Sequence, residues 1–206
     1  MPEESGAQPI LDRMRRRFVE SPGRPASVTG TPARAAVALV FRLAGGELEL
    51  LMIRRAEREG DPWSGNVALP GGRSDPRDAS LLQTAICETL EETGVDLQVR
   101  GVVLGTLDEL HPRSAALPAI VVTPYVFVLT EDGQRSLQLE LSDEVAEAFW
   151  VPLAMLADPE VTQETEVRRR SETWRVQAFM VREHVVWGLT ERILRNLLTL
   201  IDETPA

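Results

Sequence analysis

The chain has 206 residues, 43% of them hydrophobic, which suits one globular domain with a sizeable core; no apolar run approaches the ~20 residues of a membrane-crossing helix. Its net charge of −10, from 32 acidic and 22 basic residues, argues against nucleic acid as a partner, and no membrane partner is expected either. Cys87 is the single cysteine, so there is no internal disulfide; with an amino terminus, MPEESGAQPI, that does not read as a secretory signal, a cytoplasmic setting is expected.

Residues 1–32 read as an N-terminal arm and linker, and residues 33–206 as the main domain. ILDRMRRRFVE predicts a short amphipathic helix with Ile10, Leu11, Met14 and Phe18 on one stripe, its arginines forming a solvated face rather than an anion site. SPGRPASVTGTP follows as an aperiodic linker. AAVALVFRL and LELLMI then read as two buried strands joined by a turn at AGGE. A long loop carries a short strand near NVAL. DPRDASLLQTAICETLEETG predicts a helix with Asp78 as N-cap and Gly94 as its stop. VVLGTLDEL, AIVVTPYVFVL and EAFWVPL predict further strands, LAMLAD a short helix, and TEVRRRSETWRVQAFMV a hairpin. WGLTERILRNLLTLI closes the chain as an amphipathic helix with Leu189, Ile193, Leu197 and Leu200 on one stripe. Strands and helices mixed in this order indicate a layered α/β or α+β domain.

The chemistry concentrates in ICETLEETGV. Side chains three and four residues apart on a helix are neighbours, so Glu88, Glu91 and Glu92 share one face. They repel one another there, and they sit at the helix end whose dipole is negative. A hard divalent cation such as Mg²⁺ takes carboxylate, water and phosphate oxygens, and would turn that repulsion into a binding site. Just upstream, Pro70-Gly71-Gly72 can bend sharply and bring backbone close to the helix. Lys is absent, so any side-chain cation that meets a phosphate is an Arg, with its planar fork.

GGRSDPRDASLLQTAICETLEETGV resembles the Nudix box, G-x5-E-x7-R-E-U-x-E-E-x-G-U with U aliphatic. Gly72, Glu88, Glu91, Glu92, Gly94 and Val95 match it. Asp78 stands where the first Glu would be, with one extra residue after it; Thr89 replaces the aliphatic residue, and Cys87 the Arg. LLMIRRA, GNVALPGG, DEVAEAFWVPL and VWGLTERIL are similar to segments of the coenzyme A diphosphatase-like branch, extending the resemblance over roughly residues 35–201. Asp61 occupies a place where that branch carries an Arg.

The resemblance implies an α/β/α sandwich with a mixed sheet between helices, and a Mg²⁺- or Mn²⁺-dependent hydrolase that splits a diphosphate bond in a nucleoside diphosphate derivative. Coenzyme A or a derivative is the leading substrate; nucleotide sugars, dinucleoside polyphosphates and nucleoside triphosphates are alternatives, as is a module that binds a nucleotide without cleaving it. Carried over, Glu88 and Glu92 are the leading metal ligands, Glu91 a further or water-mediated one, and the Gly72 carbonyl completes the shell. Glu88 or Glu91 takes the proton of the attacking water, with Glu88 preferred and Asp108, Glu109, Glu144 and Glu164 as rivals. Arg55, Arg58 and Arg73 are candidates for the substrate's phosphates, and Trp63 for stacking on its base. His111 and His184 read as structural or surface residues, and Trp187 as core. A homodimer, with the arm as one contact, is left open.

Overall fold

The computed structural model describes residues 6–61, 63–112, 119–135, 137–169 and 172–202. In chain order its elements are α1 (Ala7–Glu20), β1 (Ala33–Ala44), β2 (Glu47–Arg55), β3 (Val67–Ala68), β4 (Gly71–Arg73), α2 (Leu81–Thr93), α3 (Leu97–Arg100), β5 (Gly101–Thr106), β6 (Ile120–Leu129), α4 (Glu131–Gln134), β7 (Val145–Pro152), α5 (Leu153–Ala157), β8 (Thr162–Arg169), β9 (Glu172–Val181), β10 (His184–Trp187) and α6 (Leu189–Asp202).

β1 and β6 pair in parallel at the centre of a seven-stranded sheet whose other pairings are antiparallel. Alternation of side chains across each strand divides the core in two. Ala36, Ala38 and Val40 of β1, Leu51 of β2, Phe127 of β6 and Trp150 of β7 pack with Ala85 of α2 on one face. Leu39, Phe41, Leu50, Met52, Val126, Phe149 and Val151 pack on the other, against α1 and α6. The sheet is therefore covered on both sides, which is why its strands read as continuous apolar runs rather than alternating ones. The architecture is the expected α/β/α sandwich with a mixed sheet.

β1 and β2 stay paired only over residues 41–44 and 47–50, and then diverge. The segment Val67–Arg73 fills the gap: β3 pairs with β2 at Ile53 and Arg54, and β4 pairs with β1 at Ala35, Ala36 and Val37. A separate three-stranded sheet, β10-β9-β8, contributes Phe179, Val181 and Val186 to the α1/α6 core.

Helix α1 buries Ala7, Leu11, Met14 and Phe18 within that core, a spacing of four, three and four residues. Residues after it lie along the loop following β5: the Arg24 amide and guanidinium donate to Asp108, and the Ala26 amide donates to Glu109. On α6 the buried apolar positions are Ile193, Leu194, Leu197 and Ile201, with Leu189 and Leu200 half-buried at the margin of the stripe. Asp78 is not the N-cap of α2. Ser80 is, its hydroxyl accepting from the Gln83 amide, while Asp78 accepts from the Asp75 amide and the Thr84 hydroxyl. Gly94 ends the helix in the left-handed region, at φ 73°. β4, β10 and the one-turn helices α3 and α4 are elements that the sequence pattern did not reveal.

Candidate active site

The floor of the site is the wedge between β1 and β2. Gly71 adopts φ 150°, and a Cβ there would lie 2.3 Å from the Ala36 carbonyl oxygen and 2.6 Å from the Val37 Cα. Only glycine lets this backbone approach β1 so closely. At Gly72 a Cβ would meet the Glu88 carboxylate at 2.3 Å, so the missing side chain is the space that Glu88 occupies. The Gly71 amide donates to Glu92 Oε2 at 2.9 Å. The glycine turn and the acidic helix thus meet directly.

The three glutamates of α2 are not equivalent. Glu92 is buried, Glu88 half-buried, and Glu91 exposed and outside the cavity. Burial pushes the Glu92 carboxyl up to about 7, against the pull of the Gly71 amide and the Arg55 charge. Glu88 is pushed up to about 6, again mainly by burial, with Glu91, Glu144 and Asp78 adding like charge. No described residue donates a hydrogen bond to the Glu88 carboxylate. Thr89, where the Nudix pattern has an aliphatic residue, is buried with its hydroxyl donating to the Ala85 carbonyl.

Above the glutamates opens a cavity of about 820 Å³. Arg55, Asp61, Trp63, Gly72, Arg73, Glu88, Glu92 and Glu144 line its polar end, and Trp174, Val176, Trp187, Leu189 and Ile193 its apolar wall. Arg55 spans Asp61 at 3.1 Å and Glu92 at 3.7 Å, and its buried Nε has no hydrogen-bond partner. Arg58 is exposed, pairs with Glu144 at 3.0 Å and does not line the cavity. Arg54 points to the opposite face of the sheet, beside Glu147. Cys87 is half-buried beside Gln83, also off the cavity.

The rival acids separate as well. Asp108 is paired with Arg24, and Glu109 is enclosed by Arg34, Thr123 and the Ala26 amide. Glu164 is exposed on β8, away from the cavity. Glu144 alone of the four faces the glutamates. Trp187, read from sequence as core, is half-buried and forms part of the wall, as does Trp174. His111 is exposed and His184 buried, neither within the cavity.

A NUDIX domain model matches residues 31–173. The chain belongs to the Nudix family. A Nudix hydrolase NudL of Photorhabdus laumondii, itself uncharacterised, is 32% identical over 189 residues, which are 91% of this chain and 95% of that one. The human mitochondrial coenzyme A diphosphatase NUDT8 is 31% identical over 180 residues, 87% of this chain and 74% of that protein. An uncharacterised Schizosaccharomyces pombe protein is 42% identical over 114 residues, and the match spans about a third of its length (34%). Among solved structures, a MutT/nudix family protein from Enterococcus faecalis shares the fold with a TM-score of 0.55 at 18% identity, over 86% of this chain and 65% of that one. The protein is an enzyme, a Nudix hydrolase on the coenzyme A diphosphatase-like branch.

Proposed function

We propose that the protein hydrolyses the diphosphate bond of a nucleoside diphosphate derivative with a divalent cation, Mg²⁺ or Mn²⁺, and that coenzyme A or a derivative is its leading substrate. The observation that carries this reading is the pair Glu88 and Glu92. Two acids lie side by side against a glycine backbone at the floor of a large cavity, each held well above the ordinary carboxylate range by burial. Such a pair is costly as two bare charges and fits a hard cation.

Glu88 and Glu92, with the Gly72 carbonyl as a third ligand, would hold the cation, and Glu91, exposed outside the cavity, would add only a water-mediated contact. Bound there, the cation supplies charge neutralisation for the diphosphate and lowers the pKa of a coordinated water. The chain's own groups do the rest. Glu88, which accepts no hydrogen bond from a described residue, is the preferred acid to take the proton of the attacking water, with Glu144, which also lines the cavity, as the other available acid. Arg55 and Arg73 hold the phosphates, and Arg58 acts indirectly by keeping Glu144 in place. Arg55 also stands against Glu92, the task that the Nudix pattern gives to the Arg missing at Cys87. The nucleoside base stacks on Trp63 or the tryptophan wall.

An apolar wall opposite an acidic floor suits a ligand with a polar diphosphate at one end and a long, less polar arm at the other, which favours a coenzyme A-type molecule over a nucleoside triphosphate. The coenzyme A diphosphatase relative supports the same choice. A cytoplasmic location belongs to this reading, supported by the single cysteine; no described helix is long and apolar enough to cross a membrane. The test is turnover, with Mg²⁺ or Mn²⁺, of coenzyme A, nucleotide sugars, dinucleoside polyphosphates and nucleoside triphosphates. We expect coenzyme A or an acylated form to be cleaved best, and Glu92→Gln to slow turnover by about 100-fold or more. Full activity in Glu92→Gln would overturn the site, and preference for another substrate the specificity.

A further inference from the structure

The geometry points to a second metal site, formed by Glu147, Glu183 and His184, on the face of the main sheet away from Glu88 and Glu92. It takes one transition-metal cation of the zinc type. Among the described residues, these three can bring one ligand atom each within 4.8 Å of one another. Glu147 follows the parity of Phe149 and Val151, which pack in the α1/α6 core, whereas Trp150 packs toward α2. Glu183 comes from the two-residue turn between β9 and β10, and His184 from the first position of β10, opposite Val181. The group is thus separated from the catalytic glutamates by the thickness of the sheet.

The decisive atom is His184 Nε2. The side chain is 9% exposed, and Nε2 lies 3.4 Å from Glu147 Oε2 and 3.8 Å from Glu183 Oε1. It nevertheless has no hydrogen-bond partner. Its direction is fixed, because the ring stacks on Phe149 with centroids 4.6 Å apart and planes at 17°. Ligands held at ~2.0–2.2 Å from a tetrahedral ion lie about 3.4 Å from one another. The spacing therefore fits atoms arranged round a cation better than atoms bonded to each other. One imidazole with two carboxylates suits zinc in preference to magnesium, and three protein ligands leave a fourth position for water. Arg54 Nε lies 3.4 Å from the same Glu147 oxygen and offsets part of the negative charge, leaving room for one divalent ion. Occupied, the site would tie the β9–β10 turn to β7 and so brace the small sheet that carries Trp174 and Trp187.

The test is Zn²⁺ titration of chelator-stripped protein by calorimetry, in a Glu88→Gln/Glu92→Gln background that silences the catalytic face. The expected result is one equivalent of Zn²⁺, not displaced by excess Mg²⁺, with affinity at least tenfold lower in Glu183→Gln and Glu147→Gln. Glu183 is exposed, so its variant reads the site without disturbing the fold, and Co²⁺ in place of Zn²⁺ should give the visible absorption of a tetrahedral ion. An imidazolium merely paired with its carboxylates predicts the opposite. Absence of stoichiometric binding, or affinity unchanged in both glutamine variants, would overturn the proposal.

Discussion

Glu92 keeps 3% of its surface exposed, and its carboxyl is held at about 7, chiefly by that burial. In metal-free protein the folded state therefore retains a proton that an unfolded glutamate, near 4.5, has already released. The contribution of this group is fully present below about pH 4.5 and is lost as pH rises through about 7, a loss of about 3 kcal/mol. Thermal melts in chelator should show lower stability at pH 8 than at pH 5, with Glu92→Gln flattening the difference. Mg²⁺ should raise the melting temperature at pH 8 and barely at pH 5. The same reasoning separates Arg55 from Cys87. Arg55→Ala removes the cation beside Glu92 and should slow turnover at least tenfold, whereas Cys87→Ser, off the cavity, should leave kcat/KM nearly unchanged. The glutamates were legible because helical spacing alone groups them. Arg55 as their counter-charge was not, since β2 reaches α2 only through the folded sheet, and neither was the unequal exposure of Glu91 and Glu92.

At the level of elements, α2 owes its start to one hydroxyl. Asp78 carries the stronger signal in sequence, but its carboxylate is engaged by the Asp75 amide and the Thr84 hydroxyl, and the cap falls to Ser80. Ser80→Ala should cost about 1 kcal/mol, measurable by denaturant unfolding, while Asp78→Ala disturbs the loop and not the cap. β4 was invisible for a related reason. Two glycines and an arginine have poor strand propensity, and they become a strand only because β1 has an unpaired edge beside them. Gly71→Ala places a methyl against the Ala36 carbonyl and the Val37 Cα, so it should lower stability by about 2 kcal/mol or more and reduce activity with it. The long strands, by contrast, are set by unbroken apolar runs and the two amphipathic terminal helices by their periodicity, signals that are local to the sequence.

Across the whole molecule, the N-terminal helix is part of the core. Met14 is fully buried in the same cluster as Phe41, Phe179 and Leu197, and Met14→Ala should cost about 2–5 kcal/mol in equilibrium unfolding. The amphipathic stripe in sequence gave the helix, but not its seat, because nothing local says which of several apolar faces it covers. The parallel pairing of β1 with β6 is hidden in the same way, behind the residues that separate them. The layered class was legible throughout, since strands buried on both faces need helices on both sides. Most catalytic loops open and close readily, because few backbone hydrogen bonds hold them. Here the segment Val67–Arg73 is laddered to β2 on one side and β1 on the other, with the Pro70 carbonyl also accepting from the Ala38 amide. Its amides in β3 and β4 should therefore rank among the slowest in the chain to exchange with deuterium, while those of the β8 edge exchange early. Evolution could then retune the wall for a new substrate by altering β9 and β10, with the glutamate floor left undisturbed.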